Sequence, residues 1–356
     1  LQLDATDDSG TILSTIILNI NAAPFRDIWF STASGMTPAV PGPQAAKQIS
    51  GSDLLSLDGH VIRPAAELLA AFDFVDAGQS LGVDALDAAP RGTLAFSLGR
   101  TAFSSALGVT IQEGDALSED GRILQTNQQL TSAFGPMPIV PDAGLDALHV
   151  LDSGEALFSI RSPLFSEKLG ITLGRGDVLS SRGVIHRTHA ELLSAFQPVD
   201  RDSDFGLDAL YVWPQGEIWF SVEYTFVDSQ LGVVNAGDLL SDQGFIVQRN
   251  LDLVHGFSPL EDLADFGLDG LFVINDTTPR PSLADQHLLA PVLLKESGDV
   301  SLQWNGTGRA WQLSYSPDLR TPFVPLSPIL PVNAWLHREI LNGAGAPSGF
   351  YRLQAW

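Results

Sequence analysis

The sequence predicts an all-β protein: a four-bladed β-propeller of about 62-residue repeats with a short helix per blade, followed by a small β-sandwich. Three observations support this: four tandem copies of one pattern, four strand-like runs in each copy, and a C-terminal segment without the pattern. The chain has 356 residues, 44% of them hydrophobic, so it can bury a large core.

The repeat is marked most clearly by a strand of the type Gly-x-Asp-Ala-Leu. Its aspartates are Asp84, Asp146, Asp208 and Asp269, spaced by 62, 62 and 61 residues. A Phe-Ser pair, an Asp-x-Leu-Ser stretch and a closing Phe recur in the same order and phase. Four sequence features that recur in the same order and at nearly the same spacing indicate four tandem units. Their predicted bounds are 27–91, 92–153, 154–215 and 216–276.

Each unit combines hairpins with a short helix. Alternating runs at 207–213 and 217–223 predict one hairpin, and the runs at 237–242 and 245–249 predict another. A Thr-x-x-Glu capping box that starts at Thr188 predicts the helix. Every copy therefore contains four predicted strands and one or two helical turns, which is typical of a propeller blade.

The two ends of the repeat region predict how the ring closes. The first copy lacks a Leu-Asp-Ala-Leu strand before residues 27–31, whereas a surplus strand at 268–273 follows the last copy. Pairing of these two segments would complete the first blade and remove both exposed sheet edges. Because the chain has no Cys, strand pairing rather than a disulfide must close the ring.

The repeats resemble those of hemopexin-like propellers. The resemblance rests on the inner-strand motif, on an aromatic second strand after a Gly turn, and on Leu-rich closing turns. The inner-strand motifs are 84–86, 146–148, 208–210 and 269–271. The resemblance covers the repeats only, and it implies a four-bladed ring with an ion held by backbone carbonyls on its axis.

Two segments flank the repeats. Residues 1–26 form a predicted β extension that could pack within the chain or add a strand to a neighbouring subunit, which is a route to a polymer. Residues 277–290 are a predicted linker, because they begin with a Thr-Thr-Pro-Arg-Pro run. Residues 291–356 are the predicted β-sandwich.

The predicted sandwich also carries a resemblance. The strand-like segments 301–304, 311–315 and 350–353 resemble a fibronectin-like C-terminal module of secreted proteins from the Planctomycetes and Verrucomicrobia. This resemblance implies an exported protein, either extracellular or attached to the cell surface.

The charge of the chain narrows the classes of partner. Lys and Arg number 19 against 42 Asp and Glu, for a net charge of −23. Such a surface repels phosphate backbones, so nucleic acid is not an expected partner, and no apolar run predicts membrane insertion. The motifs of zinc proteases, serine hydrolases and phosphate-binding loops are missing from the sequence, which favours a protein that is not an enzyme.

Two sets of aspartates are candidate metal ligands. Asp84, Asp146, Asp208 and Asp269 would surround the propeller axis, where they could hold Ca²⁺ or, alternatively, accept backbone N–H bonds at a turn. Asp200, Asp202 and Asp204 alternate as in acidic calcium loops, although a solvated acidic loop has the same pattern. Calcium is the one cofactor that the sequence suggests.

The leading hypothesis is a secreted or cell-surface propeller that binds a protein or glycan partner, or that assembles with itself into an oligomer or polymer. One alternative is a glycan-active hydrolase or lyase with its site at one mouth of the ring. Another is a structural filament subunit. An irregular polar cluster at one mouth would favour the enzyme, and the insertion between Ser31 and Gly51 breaks the repeat symmetry most strongly.

Overall fold

The structure is a computed structural model, and it describes residues 2–6, 12–17, 25–39, 48–75, 81–89, 93–139, 142–276, 287–288, 292–294, 299–305, 308–318, 320–331, 337–341 and 349–356. The protein is mostly β, and a four-stranded antiparallel sheet recurs four times, as in a β-propeller. Within these ranges, no helix is both long enough and apolar enough to cross a bilayer.

The elements alternate between short strands and very short helices. The strands are β1 (Gln2–Thr6), β2 (Ile12–Ile17), β3 (Asp27–Ser31), β4 (Leu54–Ser56), β5 (Val61–Arg63), β6 (Val83–Ala88), β7 (Leu94–Leu98), β8 (Ala102–Ser104), β9 (Val109–Ile111), β10 (Ala116–Ser118), β11 (Arg122–Gln125), β12 (Leu148–Val150), β13 (Ala156–Phe158), β14 (Leu164–Ser166), β15 (Ile171–Leu173), β16 (Val178–Ser180), β17 (Val184–Arg187), β18 (Ala209–Val212), β19 (Ile218–Ser221), β20 (Phe226–Asp228), β21 (Gly232–Val234), β22 (Leu239–Ser241), β23 (Phe245–Gln248), β24 (Gly270–Ile274), β25 (His287–Leu288), β26 (Val292–Leu294), β27 (Asp299–Asn305), β28 (Ala310–Ser316), β29 (Val324–Pro325), β30 (Leu330–Pro331), β31 (His337–Leu341) and β32 (Phe350–Ala355). The helices are α1 (Ala65–Leu69), α2 (Asn127–Thr131), α3 (His189–Leu192) and α4 (Asn250–Leu253).

The four repeated sheets share one strand order. From inner to outer strand they are β24-β3-β4-β5, β6-β7-β10-β11, β12-β13-β16-β17 and β18-β19-β22-β23. The innermost strands contact one another in cyclic order, β24 with β6, β6 with β12, β12 with β18, and β18 with β24. The two hairpins predicted in the copy that spans 207–249 are confirmed as β18–β19 and β22–β23.

The surplus strand closes the first sheet as predicted. β24 pairs antiparallel with β3, in a register that runs from Gly270 opposite Ser31 to Ile274 opposite Asp27. Both strands are fully buried. The first and last repeats are therefore joined by a continuous backbone ladder.

The recurring Asp-x-Leu-Ser stretch explains where each short helix begins. Asp238 accepts the backbone N–H of Asn250, the first residue of α4, at 2.9 Å and that of Asn235 at 3.0 Å. One carboxylate thus satisfies an unpaired N–H at the helix start and also fixes the preceding turn. The same pair of bonds recurs at Asp53, Asp115 and Asp177.

The predicted capping box is also confirmed. Glu191 N–H donates to Thr188 Oγ1 at 3.2 Å, and Thr188 N–H donates to Glu191 Oε2 at 2.8 Å. Sequence reasoning missed three further hairpins, β8–β9, β14–β15 and β20–β21, which lie between the second and third strands of their sheets. Their turn glycines recur with positive φ and could have revealed them; they are Gly108, Gly170 and Gly232.

A buried serine on the second strand links three of the sheets to the next. Ser159 Oγ donates to the carbonyl of Leu207 at 2.9 Å, and the serine is completely buried. Ser97 and Ser221 make the same bond to Leu145 and Leu268. Ser31 occupies this position in the first sheet, but its hydroxyl has no partner among the described residues.

Both flanking segments contain β-structure. β1 and β2 pair only with each other in the described part of the chain, and pairing of this extension with a neighbouring subunit stays a prediction. The predicted linker lies outside the described residues except for β25. The three predicted tail strands are confirmed within β27, β28 and β32, and the tail forms two four-stranded sheets.

The tail packs against the repeats at the end where the inner strands finish. Trp356 belongs to the same hydrophobic cluster as Trp213 and Phe272. Its indole N–H donates to Asp276 Oδ1 at 3.1 Å. The repeats and the tail therefore share a core rather than only a connecting segment.

The serine bonds between sheets provide a stability test. We expect Ser159→Ala to lower the free energy of unfolding by about 1–2 kcal/mol, because it leaves the buried Leu207 carbonyl without its donor. Ser31→Ala is the matched control and should be neutral or slightly stabilising, because its hydroxyl is buried and unpaired. Urea unfolding of both variants measures the difference, and equal losses would contradict this role for the serine.

Candidate functional site

The four inner-strand aspartates meet at the end of the ring opposite the tail. Asp84 lies at the start of β6, and Asp208 and Asp269 directly precede β18 and β24. Asp146 lies two residues before β12. We call Asp84, Asp146, Asp208 and Asp269 together the acidic mouth.

Burial sets the protonation of the acidic mouth. Burial, together with the negative charge of Asp146, raises the pKa of Asp84 to about 8 and that of Asp269 to about 7. Burial likewise raises the pKa of Asp146 to about 6 and that of Asp208 well above its usual range. These carboxyl groups are therefore close enough to repel one another, and nearby cations do not neutralise them fully.

The backbone-capping role considered for these four residues belongs to other aspartates. Within the described ranges, none of the four side chains accepts a backbone N–H. Repeated aspartates that do so include Asp53, Asp115, Asp177 and Asp238 at the helix starts, and Asp142, Asp204 and Asp265 in the loops before the inner strands.

One guanidinium covers half of the acidic mouth. Arg161 Nε lies 3.0 Å from Asp146 Oδ1, Nη1 lies 2.9 Å from Glu113 Oε2, and Nη2 contacts Asp84. Asp208 and Asp269 receive no hydrogen bond to their carboxylates from the part of the chain that the structure describes. The positive charge is thus concentrated on one side.

The asymmetry arises at a single repeat position. In its sheet, Arg161 lies beside Asp146; the equivalent residues beside the other aspartates are Gly99, Glu223 and Ala33. Glu223 instead pairs with Arg175, whose Nη2 also reaches the hydroxyl of Tyr224 at 2.9 Å. Large charged side chains therefore lie beside Asp146 and Asp208. Ala33 and Gly99 leave space beside Asp269 and Asp84, and we call this side the open half of the mouth.

A cavity of about 400 Å³ occupies the open half, and we call it the mouth cavity. Its walls are hydroxyl groups, backbone, one amide and the apolar side chains of Ala33 and Ile49, with Asp269 as the sole ionisable group among the described residues that line it. The lining includes Thr32, Ala33, Gln48, Ser50, Gly51 and Gly82. Several of these belong to the insertion between Ser31 and Gly51 that was predicted to break the repeat symmetry.

The second set of candidate ligands lies apart from the mouth. Asp200 accepts the N–H of Asp202 at 3.2 Å and the hydroxyl of Ser203 at 2.5 Å. Asp204 accepts the N–H groups of Gly206 at 3.0 Å and Arg175 at 2.8 Å. Two of the three carboxylates of this loop thus hold local backbone or side-chain donors.

The residues fit a metal poorly as they are placed. Among the described residues, no group of three or more His, Asp or Glu side chains is arranged to hold a metal ion. Calcium therefore stays a sequence prediction for both aspartate sets, and no step of the proposed function depends on it.

A larger cavity of about 710 Å³ lies beside α3, where one repeat differs from the others. The amides of Asn127 and Asn250 bridge two loops in their repeats, whereas His189 stands at the same position here. His189 Nε2 accepts the N–H of Phe205 at 3.3 Å, and burial lowers the pKa of the imidazole. The neutral imidazole of His189 thus takes the place of the asparagine amide that bridges the two loops in the other repeats.

The raised pKa of Asp208 leads to a pH-dependent stability. The unfolded carboxyl keeps a pKa near 3.8, so the folded protein holds a proton that the unfolded chain loses, and stability falls as pH rises above about 4. We expect Asp208→Asn to stabilise the protein by roughly 1–3 kcal/mol at pH 8, and the gain should vanish near pH 4.

Chemical unfolding of the Asp208→Asn variant at pH 4, 6 and 8 checks this expectation. Asp202→Asn is the control, because this side chain is exposed in the loop, and it should leave stability nearly unchanged at all three values. A gain that does not depend on pH would refute the assignment.

Comparisons with known proteins add little to this geometry. No protein-family model and no curated protein match the chain. A crystal structure of a protein of unknown function from Bacteroides caccae is similar, with 10% identity, a TM-score of 0.28, and coverage of 71% of this chain and 100% of that chain. Virginiamycin B lyase from Staphylococcus aureus is similar at 11% identity and a TM-score of 0.20, over 71% of this chain and 57% of the lyase. At these scores neither likeness carries an argument about function.

Proposed function

We propose that the chain is a non-enzymatic binding module of a secreted or cell-surface protein, and that it takes part of a protein or glycan partner into the mouth cavity. In this proposal the four sheets are the blades of a hemopexin-like ring, and the tail is a fibronectin-like β-sandwich. The cyclic contacts of the inner strands and the β24–β3 ladder support the ring.

The observation that carries the proposal is the chemistry of the mouth cavity. A carboxylate without a hydrogen-bond donor lies beside hydroxyl and amide groups in a space of about 400 Å³. A buried acceptor of this kind is stabilised when a ligand supplies a donor. Sugar hydroxyls and ammonium groups are such donors, and the negative field of the mouth attracts the ammonium groups.

The unequal loops at the mouth give some support to the alternative of a glycan hydrolase. Glycosidases, however, ordinarily use two carboxyl groups that flank the scissile bond. Within the described lining, the mouth cavity has Asp269 and no second carboxyl group. Binding without turnover is therefore the better-supported function. Self-assembly, including assembly into a filament, is an alternative that the experiment below distinguishes from ligand binding.

Ala33→Arg tests the proposal by filling the mouth cavity. Arg161 packs against Gly144 as Ala33 packs against Gly267, so the ring already accommodates an arginine at this position. We expect labelled protein to bind a subset of glycans or lysine-bearing peptides on an array. The new arginine should occupy the cavity, pair with Asp269 and reduce the affinity at least tenfold by calorimetry.

Ala66→Arg is the matched control, because it adds the same charge on the exposed face of α1 and should leave binding unchanged. Retained binding by Ala33→Arg would refute the cavity as the site. Cleavage of a bound glycan would support the enzyme instead. Assembly of the purified chain into filaments, with no binding to any glycan or peptide on the array, would support the structural subunit.

A further inference from the structure

Another cavity, of about 340 Å³, lies at the end of the ring opposite the acidic mouth. It is bounded by residues after the inner strands β12 and β18, by the end of β17, and by Arg309 of the tail. We call it the tail cavity. It is separate from the acidic mouth and contributes nothing to the function proposed above.

We propose that the tail cavity binds a small carboxylate, and that Arg187 pairs with its negative charge. Nothing in the mouth cavity is needed for this proposal. Two arginines, Arg187 and Arg309, line the tail cavity in a chain with 42 acidic and 19 basic residues.

Arg187 forms no salt bridge with a carboxylate in the described part of the chain. Its single hydrogen bond there runs from Nη1 to the carbonyl of His186 at 3.0 Å. The arginine at the same position of the first repeat, Arg63, lies 3.5 Å from Glu119. Glu191 interacts electrostatically with Arg187 without forming a salt bridge, so the guanidinium keeps N–H donors that a ligand carboxylate could accept.

The other charges of the tail cavity cancel. Arg309 Nη2 lies 2.7 Å from Asp152, and the guanidinium also donates to the carbonyls of Ala88 at 2.8 Å and Val150 at 3.3 Å. Burial lowers the pKa of His186, so this imidazole is neutral near pH 7. Among the described lining residues, Arg187 is therefore the cation that no salt bridge neutralises, and the carboxylate of Asp87 lies next to the lining at 3.6 Å from His149 Nδ1.

Two buried side chains of the lining have unused nitrogen atoms. Trp213 is 1% exposed and its Nε1 has no partner; His149 is 5% exposed and its Nδ1 also has none, at 3.6 Å from Asp87 Oδ1. An unpaired buried donor costs about 1–3 kcal/mol. A ligand oxygen that reached either nitrogen after a small shift of the side chains would recover part of that cost.

The walls set the size of the ligand. Leu151, Val212 and Pro214 add apolar surface beside the polar groups. The cavity volume accommodates one ring with its carboxylate, either an acidic monosaccharide or an aromatic acid. Both share the chemistry that Arg187 recognises, and a planar carboxylate suits the two-pronged guanidinium.

Calorimetric titration with D-glucuronate and with benzoate tests the proposal. We expect the wild-type chain to bind at least one of them, and the probe that binds identifies the source of the carboxylate. D-glucose and benzamide, the neutral counterparts, should bind at least tenfold more weakly. The Arg187→Gln variant should lose at least tenfold in affinity for the carboxylate.

Arg187→Gln is conservative for the fold, because the second and fourth repeats carry Gln125 and Gln248 at this position. Arg63→Gln is the matched control and should bind as the wild type does. Absence of binding by both acids, equal binding of the neutral counterparts, or unchanged affinity in Arg187→Gln would each overturn the proposal. The Ala33→Arg variant should bind the acid normally, so failure here is distinguishable from failure at the mouth cavity.

Discussion

The pairing of β24 with β3 is the constraint on which the rest of the structure depends. It joins residues 27–31 to residues 270–274 across almost the whole repeat region. Without it, β24 would have no place between β6 and β18, and Asp269 would not join the other three aspartates. The acidic mouth is therefore a product of ring closure, and its charge repulsion works against the ladder that creates it. A contact of such large sequence separation also has a high entropic cost before it stabilises the fold.

Repetition explains the scaffold, and differences between the repeats explain the sites. Positions that bond to the backbone keep one chemistry in nearly every copy, as with Asp238 and its equivalents at the helix starts. Positions that face the ends of the ring vary between the repeats, because no backbone bond common to all copies depends on them. Arg161 and Ala33 occupy one such position, and Arg187 shares another with glutamine in two repeats. The mouth cavity and the tail cavity each lie at a position whose residue type differs between the repeats.

Sequence spacing was sufficient to predict the sheets and their closure, because the period, the hairpin turns and the surplus strand are all local or repeated signals. The environment of Asp84 and Asp208 was not predictable in the same way. Their pKa depends on burial and on neighbours from other repeats, and periodicity does not report either. Comparing the residue beside each aspartate across the copies would have revealed the asymmetric mouth, since Arg161, Glu223, Gly99 and Ala33 are visible in the sequence.

The contact of the tail with the ring could not be predicted from the sequence, for a related reason. Arg309 bonds to carbonyls 221 and 159 residues away, and no pattern marks those partners. The contact places a buried guanidinium, paired with Asp152, at the end of the inner strands opposite the acidic mouth. Since Arg309 also forms a wall of the tail cavity, the tail acts as part of a site and not only as an appended module. One ring can therefore present an end suited to hydrogen-bond donors and cations, and another end suited to an anion.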